Sequence, residues 1–223
     1  MDASVELVVE RLAAVRQRIE RAGGDAVNVA ILAVTKGFGA EAVRMAMAAG
    51  LDEVGENYAQ ELVAKVEAIA ADQPRWHFIG RLQRNKVRKL APSVHLWQSV
   101  DRIALGHEIA HHAPGAAVLV QVNVSAEPQK GGCDPNEVAE LVRELRDLDL
   151  DVRGLMAVGP TGAPEAARPG YRQVRRLADD LGLDVRSMGM TGDLDVAVEE
   201  GSNLVRVGTA LFGPRPKAAA VAG

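Results

Sequence analysis

The segment NVAILAVTKGFGAEAVRMAMAAGLDEVGENY, residues 28–58, contains the repeating unit on which the predicted fold rests. Its apolar run at 28–36 is short and rich in β-branched residues, which is typical of a buried strand. Residues 40–50 have the pattern of a helix, and 53–58 are a second strand candidate. Strands joined by a crossover of about a dozen residues pair in parallel. The segment therefore predicts one β/α unit followed by the next strand.

The same alternation continues to residue 213. The other strand candidates are 75–80, 95–100, 116–125, 152–159, 184–191 and 203–213. The other helix candidates are 3–22, 59–71, 82–91, 101–112, 135–148, 165–181 and 193–200. No linker rich in glycine, serine or proline divides them, so one domain is predicted.

Eight strands with interleaved helices in 223 residues predict an α/β fold, a single-domain TIM-type (β/α)8 barrel. Only seven helix candidates follow a strand, so the additional N-terminal helix is expected to fill the empty place in the outer ring. The domain is predicted to span 1–223, with a frayed tail at 214–223. A doubly wound open sheet is the alternative, but no G-x-G-x-x-G follows the first strand.

The overall composition limits the classes of function. The chain is 48% hydrophobic and 25% charged, as globular proteins are, and its net charge of −4 argues against a general nucleic-acid binder. Its single cysteine, Cys133, cannot form an internal disulfide, which is typical of intracellular proteins. There is no apolar run of about 18 residues and no signal-peptide pattern. A cytoplasmic protein without a membrane span is therefore expected.

The segment GHEIAHH, residues 106–112, contains the H-E-x-x-H pattern of zinc hydrolases in His107, Glu108 and His111. A catalytic zinc site needs three protein ligands and an open position in a shaped cavity. The barrel interpretation instead places the segment on an outer helix, where the adjacent His112 points elsewhere. We therefore predict that the segment is a solvent-facing helix end. A zinc hydrolase is kept as the alternative function.

Several predicted strands carry polar residues where buried parallel strands should be apolar. Alternation places Lys36 at the carboxyl end of the first strand and Arg206 opposite its valine neighbours in the eighth. The others are Asn57 at the end of the second strand, His77 in the third, and Gln121 and Asn123 in the fifth. Because barrel active sites lie at the carboxyl ends of the strands, these residues together predict a ligand site there.

Two glycine-containing turns, MGMTGD (188–193) and VGTALFG (207–213), follow the last two strands, where TIM barrels commonly bind phosphate. A desolvated lysine near another cation can form a Schiff base with a carbonyl. Pyridoxal 5′-phosphate (PLP) fits these features, with its aldehyde on Lys36, its phosphate at Thr191, Gly208 and Thr209, and its ring nitrogen near Arg206. An arginine there keeps the ring nitrogen unprotonated, which weakens the cofactor as an electron sink.

In these motifs the chain resembles the pyridoxal phosphate homeostasis proteins, relatives of the barrel domain of alanine racemase. The matching stretches include LAVTK (32–36), GENYAQE (55–61), WHFIGRLQRNK (76–86), QVNVSAEPQKGG (121–132), SMGMTGD (187–193) and VRVGTALFG (205–213). The resemblance implies cofactor contacts at Lys36, Asn57, His77, Met190, Thr191, Arg206, Gly208 and Thr209. Two departures are Thr191, where the family more often has serine, and Asn203, where it more often has threonine.

The resemblance implies a PLP carrier without catalytic turnover, which serves PLP-dependent apoenzymes. The net charge and the hydropathy predict neither a nucleic-acid nor a membrane partner, and a monomer is expected because the second domain through which related racemases dimerise is missing. The alternative is a racemase-like PLP enzyme. Related racemases take a second acid/base, a tyrosine, from another domain of a partner subunit, and this chain is too short for such a domain. Its tyrosines, Tyr58 and Tyr171, have other interpretations. Lys130 is either an exposed loop lysine or a second, transient site for the aldehyde.

Overall fold

The computed structural model describes residues 3–69, 72–125, 127 and 130–215, and eight parallel strands form a closed barrel within them. The strands are β1 (Ala30–Val34), β2 (Glu53–Glu56), β3 (Arg75–Phe78), β4 (Val94–Val100), β5 (Ala117–Val122), β6 (Asp151–Ala157), β7 (Val185–Met190) and β8 (Leu204–Val207). Their order in the barrel is their order in the chain, and β8 pairs with β1 to close it. The predicted TIM-type barrel is confirmed, and the open sheet is excluded.

Helices surround the barrel on its outside. They are α1 (Ala3–Arg21), α2 (Ala40–Ala48), α3 (Ala59–Ile69), α4 (Arg84–Leu90), α5 (Ile103–His112), α6 (Val138–Asp147), α7 (Arg168–Asp180), α8 (Leu194–Glu199) and α9 (Thr209–Phe212). Helix α1 packs against α2, α8 and α9, so the additional N-terminal helix does occupy the expected place in the ring. In the described part of the chain, no helix combines the length and the apolar character that crossing a membrane requires.

The predicted extent of the eighth strand, 203–213, is wrong. Strand β8 ends at Val207, which pairs with Ala33 near the end of β1, and the chain then turns into α9. A short apolar run does not distinguish a strand from a buried helix by itself, and here the end of the neighbouring strand decides. The expectation that no helix follows the eighth strand is therefore wrong, because the short helix α9 follows it and α1 packs against α9 in the outer ring. Most of the predicted frayed tail, 216–223, lies outside the described residues.

Side chains alternate between the two faces of the barrel wall, as the pattern of β5 illustrates. Val118, Val120 and Val122 belong to the large apolar core between the strands and the helices. Leu119 instead belongs to a small separate cluster inside the barrel. The other buried members of that cluster are Leu96, Ala117 and Met156. The interior thus has an apolar part, and the polar residues of the strands occupy the remaining space.

The H-E-x-x-H motif lies on α5, outside the barrel. Glu108 Oε2 accepts a hydrogen bond from Arg84 at 3.3 Å, and Glu108 Oε1 lies 3.3 Å from His112 Nε2. His107 and His111 are exposed. Among residues 3–69, 72–125, 127 and 130–215, no group of three or more His, Cys, Asp or Glu side chains is arranged to hold a metal ion. The contacts of the motif are those of a polar surface on an outer helix.

Candidate functional site

A cavity of about 240 Å³ opens where the carboxyl ends of β1, β7 and β8 meet. Six predicted site residues line it, namely Lys36, Met190, Thr191, Arg206, Gly208 and Thr209. The rest of the wall is formed by Val34, Phe38, Ile79, Gly192 and Arg215. The lysine, the inward arginine and the two glycine turns, which are far apart in sequence, are therefore brought together in one place.

Lys36 lies in the turn after β1, one residue beyond Thr35, and lines this cavity. Burial lowers the pKa of its amine, the nearby guanidinium groups of Arg215 and Arg206 lower it further, and the carboxylate of Glu56 partly opposes them. A lowered pKa increases the fraction of neutral amine, which is the form that attacks a carbonyl carbon. The electrostatic surroundings thus favour Lys36 as a nucleophile.

A buried ion pair holds the backbone just before Lys36. Lys65, on α3, donates to the carbonyl oxygen of Thr35 at 2.8 Å and to the Glu56 carboxylate. The Thr35 hydroxyl donates to the same carboxylate at 2.5 Å. Glu56 is fully buried, and this burial raises the pKa of its carboxyl, while the hydrogen bonds from Lys65 and Thr35 act in the opposite direction. The backbone next to Lys36, which faces the cavity, is therefore held in place by a second, buried lysine.

Gly37 shapes the loop just after Lys36. Its φ of +75° is rarely adopted by other residues, and a Cβ there would lie 3.0 Å from Cδ of Arg215. The Gly37 N–H donates to Glu61 Oε2 on α3 at 2.8 Å. Glycine at this position thus lets Arg215 come close to Lys36 at the mouth of the cavity.

The two glycine turns form adjacent parts of the cavity wall. The Thr191 hydroxyl accepts a hydrogen bond from the backbone N–H of Ala210 at 3.4 Å, which links the turn after β7 to the start of α9. A Cβ on Gly208 would lie 3.0 Å from the carbonyl oxygen of Val34, so glycine allows β8 and β1 to come together here. The arrangement offers two hydroxyls, those of Thr191 and Thr209, with closely packed backbone, as a phosphate site requires.

Helix α1 supports both turns with arginines. Arg18 donates to the carbonyl oxygen of Thr191 at 3.0 Å and pairs with Asp195 at 2.8 Å. Arg11 donates to the carbonyl oxygen of Leu211 at 3.1 Å. The additional N-terminal helix therefore does more than fill a gap in the ring, because it ties down the loops that line the cavity.

Asn203, the second departure from the family pattern, lies at the opposite end of the barrel. Its Oδ1 accepts from the N–H of Arg186 and its Nδ2 donates to the carbonyl oxygen of Asp184, both at 2.7 Å. It therefore joins the starts of β7 and β8 and makes no contribution to the cavity wall.

Two predicted site residues, Asn57 and His77, lie outside the cavity wall. Asn57 lies in a neighbouring cleft with Tyr58, Arg81 and Lys86. His77 is buried inside the barrel with 2% of its surface exposed, and its Nδ1 lies 2.8 Å from the side-chain nitrogen of Gln98. Alternation placed His77 on the correct face of β3, but that face leads to the interior of the barrel below the cavity.

A chain of buried side chains leads from His77 to Arg206. Nη1 of Arg206 donates to the carbonyl and the hydroxyl of Ser187, both at 2.7 Å, and Nη2 donates to the carbonyl of Ala157 at 2.7 Å. The Ser187 hydroxyl donates to Gln98 Oε1 at 2.7 Å, and Gln98 contacts His77. The partners of this buried cation are therefore neutral oxygens, which keep its charge available for a ligand.

His77 is predicted to make the stability of the protein depend on pH. Burial lowers its pKa from 6.5 to about 3, with smaller contributions from His95 and Arg75. The folded state thus favours neutral His77, so its contribution to stability is complete above about pH 6.5 and declines as the pH falls toward 3. Between pH 6.5 and 4.5 the loss should reach about 2–3 kcal/mol, as measured by urea unfolding.

The His77→Gln variant separates this effect from the titration of carboxylates, because glutamine keeps a hydrogen-bond acceptor but has no charge to gain. Its free energy of unfolding should fall less steeply with decreasing pH than that of the wild type. The exposed His107→Gln variant is the control and should follow the wild type. Equal slopes for wild type and His77→Gln would contradict the prediction.

Lys130 is held rather than free. Its Nζ donates to the carbonyl oxygen of Gly159 at 2.5 Å and lies 3.0 Å from Glu127 Oε1. It lines a second cavity of about 380 Å³, which shares Met190 and Gly192 with the first. Lys130 is therefore close to the candidate site, but it belongs to the wall of the second cavity and not to that of the first.

Comparison with known proteins identifies the class to which this barrel belongs. The family model for the alanine racemase N-terminal domain matches residues 11–216. An alanine racemase from Streptomyces lavendulae has the same fold, with a TM-score of 0.75 over 96% of this chain and 58% of that one, at 21% identity. The chain belongs to the alanine racemase N-terminal domain family.

Within this class, the chain matches curated relatives over nearly their whole length. The chain is 42% identical to a pyridoxal phosphate homeostasis protein of Pseudomonas aeruginosa, covering 96% of this chain and 97% of that one. It is 41% identical to one from Aquifex aeolicus, covering 92% and 97%. The structure of PipY from Synechococcus elongatus PCC7942 with PLP bound has a TM-score of 0.80 at 34% identity, covering 92% and 100%. The chain is a member of the pyridoxal phosphate homeostasis protein family.

Proposed function

We propose that this protein binds PLP as a Schiff base on Lys36 and acts in intracellular PLP homeostasis without catalytic turnover. The observation that carries the proposal is the convergence of Lys36, Arg206 and the two hydroxyl-bearing turns on one cavity. The PLP bound to PipY supports the same ligand here. The proposal includes a cytoplasmic, monomeric carrier that serves PLP-dependent apoenzymes.

The residues of the cavity fit the charge of PLP. Among the described residues that line it, Lys36, Arg206 and Arg215 are cationic and none is acidic. A phosphate dianion would compensate this excess positive charge, and Thr191 and Thr209 would donate hydrogen bonds to it. Arg206 would hold the ring nitrogen as an acceptor and thereby keep it unprotonated.

Bound PLP would supply an aldehyde whose carbon forms a double bond to the nitrogen of Lys36, while the aldehyde oxygen leaves as water. The lowered pKa of Lys36 favours the neutral amine that this attack needs. Gly208 allows the backbones of β8 and β1 to approach each other beside the cavity, and Gly37 leaves room for the side chain of Arg215. These roles belong to binding, and they need no second acid or base.

A racemase-like reaction requires such a second group. Tyr171 is fully buried, donates to Asp193 Oδ2 at 2.6 Å, and has a pKa raised by burial and by that carboxylate. Tyr58 is 57% exposed and lies in the cleft beside Asn57. In the described chain, neither tyrosine lines the cavity of Lys36, which supports binding without turnover.

Reduction with borohydride followed by peptide mass spectrometry tests the proposal. One PLP per chain should be fixed to Lys36, and pyridoxal without phosphate should label it far less, because it lacks the group that the glycine turns hold. An unlabelled protein would contradict the proposal. With excess PLP, added label on Lys130 would support a transient second site, and label on Lys36 alone would exclude it.

A further inference from the structure

We propose that Ser187 and Gln98, together with neutral His77, are positioning residues that fix the direction in which Arg206 presents its donors to the ligand. The proposal rests on the proposed function, in which the ring nitrogen of PLP is the acceptor for Arg206. The four side chains form one chain of hydrogen bonds inside the barrel, and each is at most 4% exposed.

The direction of this chain follows from arginine having donors only. Arg206 Nη1 donates to the Ser187 hydroxyl, so that hydroxyl accepts from it and its own hydrogen must go to Gln98 Oε1. The Gln98 amide is thereby fixed with its nitrogen toward His77. His77 Nδ1 must then accept, which requires a neutral ring with its hydrogen on Nε2. Every donor in the chain points away from Arg206.

The same bonds determine which donors of Arg206 remain. Of its five N–H groups, both on Nη1 go to Ser187 and one on Nη2 goes to Ala157. Among the described residues this leaves Nε and one hydrogen of Nη2 for a ligand in the cavity. Without the hydroxyl and the amide behind it, the guanidinium keeps only its bonds to the backbone carbonyls of Ser187 and Ala157, so its free donors can shift away from the direction that the ligand needs.

The test compares two ligands, PLP and its analogue with a C–H group in place of the ring nitrogen. Ser187→Ala and Gln98→Met should each weaken PLP binding by about tenfold, the effect of one misplaced hydrogen bond from a charged donor. Binding of the analogue should change by less than about twofold, since it has no ring nitrogen for Arg206 to hold. Leu119→Val, a change in the apolar interior cluster, is the control and should leave the ratio of the two affinities unchanged.

Equal weakening of both ligands in the two variants would mean a purely structural role and would overturn the proposal. Equal affinity of the two ligands for the wild type would overturn it as well, since Arg206 would then not recognise the ring nitrogen. A wild-type protein that binds neither ligand would instead contradict the proposed function itself. Ser187 and Gln98 lie on different strands, so either variant alone provides the test if the other does not fold.

Discussion

Replacing Lys65 by methionine should lower the free energy of unfolding by about 3–5 kcal/mol, because it leaves a buried carboxylate without its cationic partner. Glu56 is 0% exposed and Lys65 is 5% exposed, so water cannot take the place of the ammonium group. Urea unfolding at pH 7 measures the loss. Lys86→Met on α4 removes a lysine for which the described residues provide no ion pair, and it should change stability by less than about 0.5 kcal/mol.

The pH dependence identifies the cause of the loss. Burial raises the pKa of Glu56, and removal of Lys65 should raise it further. A carboxyl group whose pKa is higher in the folded state than in the unfolded state binds a proton preferentially in the folded state. The loss of unfolding free energy in Lys65→Met should therefore shrink as the pH falls from 8 to 5. The double variant Lys65→Met/Glu56→Leu should recover most of the stability at pH 7. A deficit independent of pH, with no recovery in the double variant, would assign the loss to packing instead.

Lys65→Met should also disturb the candidate site, because Lys65 holds the backbone next to Lys36. Lys65 bonds to the carbonyl of Thr35, and Glu61, one turn earlier on α3, accepts from the N–H of Gly37. The peptide groups on both sides of Lys36 are thus attached to one helix. Weaker PLP binding is therefore expected in Lys65→Met even where the protein remains folded.

The barrel and the end that carries the candidate site could be predicted from the sequence because both depend on short-range patterns. The alternation of strands and helices indicated the closed sheet, and residue parity placed Lys36 and Arg206 toward the interior. The end of β8 could not be predicted in this way, because it depends on where the neighbouring β1 ends. Arg215 was missed for the same reason, since it reaches the cavity only after α9, in a segment expected to be frayed.

The side chains that hold Arg206 could not be predicted from the sequence, for a different reason. Gln98 and Ser187 are 89 residues apart, and each is an ordinary polar residue in its own strand. His77 was recognised as facing inward, but its distance from the cavity depends on its height along the barrel axis. Parity gives the face of a strand, whereas height depends on the register between strands, which shifts irregularly between β3 and β4.

Replacing Lys36 by alanine should weaken PLP binding by about a hundredfold or more, close to 3 kcal/mol, and should abolish the label fixed by borohydride. The variant removes the only lysine that lines the cavity among the described residues, while the two threonine-bearing turns remain to hold phosphate. Equilibrium dialysis measures the affinity, and the absorbance of bound PLP reports whether the carbonyl has reacted with an amine. The effect is expected to be large because both the covalent bond and one cation are lost.

Lys130→Ala is the matched control, because Lys130 lines the adjacent cavity and its removal should leave the first equivalent of PLP bound to Lys36. Binding to Lys36→Ala as tight as to the wild type would contradict the assignment of the Schiff base.

A panel of amino acids assayed for racemisation and transamination separates a carrier from an enzyme. Steady turnover that disappears in Lys36→Ala would establish the racemase-like alternative. We expect no turnover in the wild type and loss of PLP binding in Lys36→Ala. The reason is that the described cavity wall has three cationic side chains and no other side chain that could act as an acid or a base.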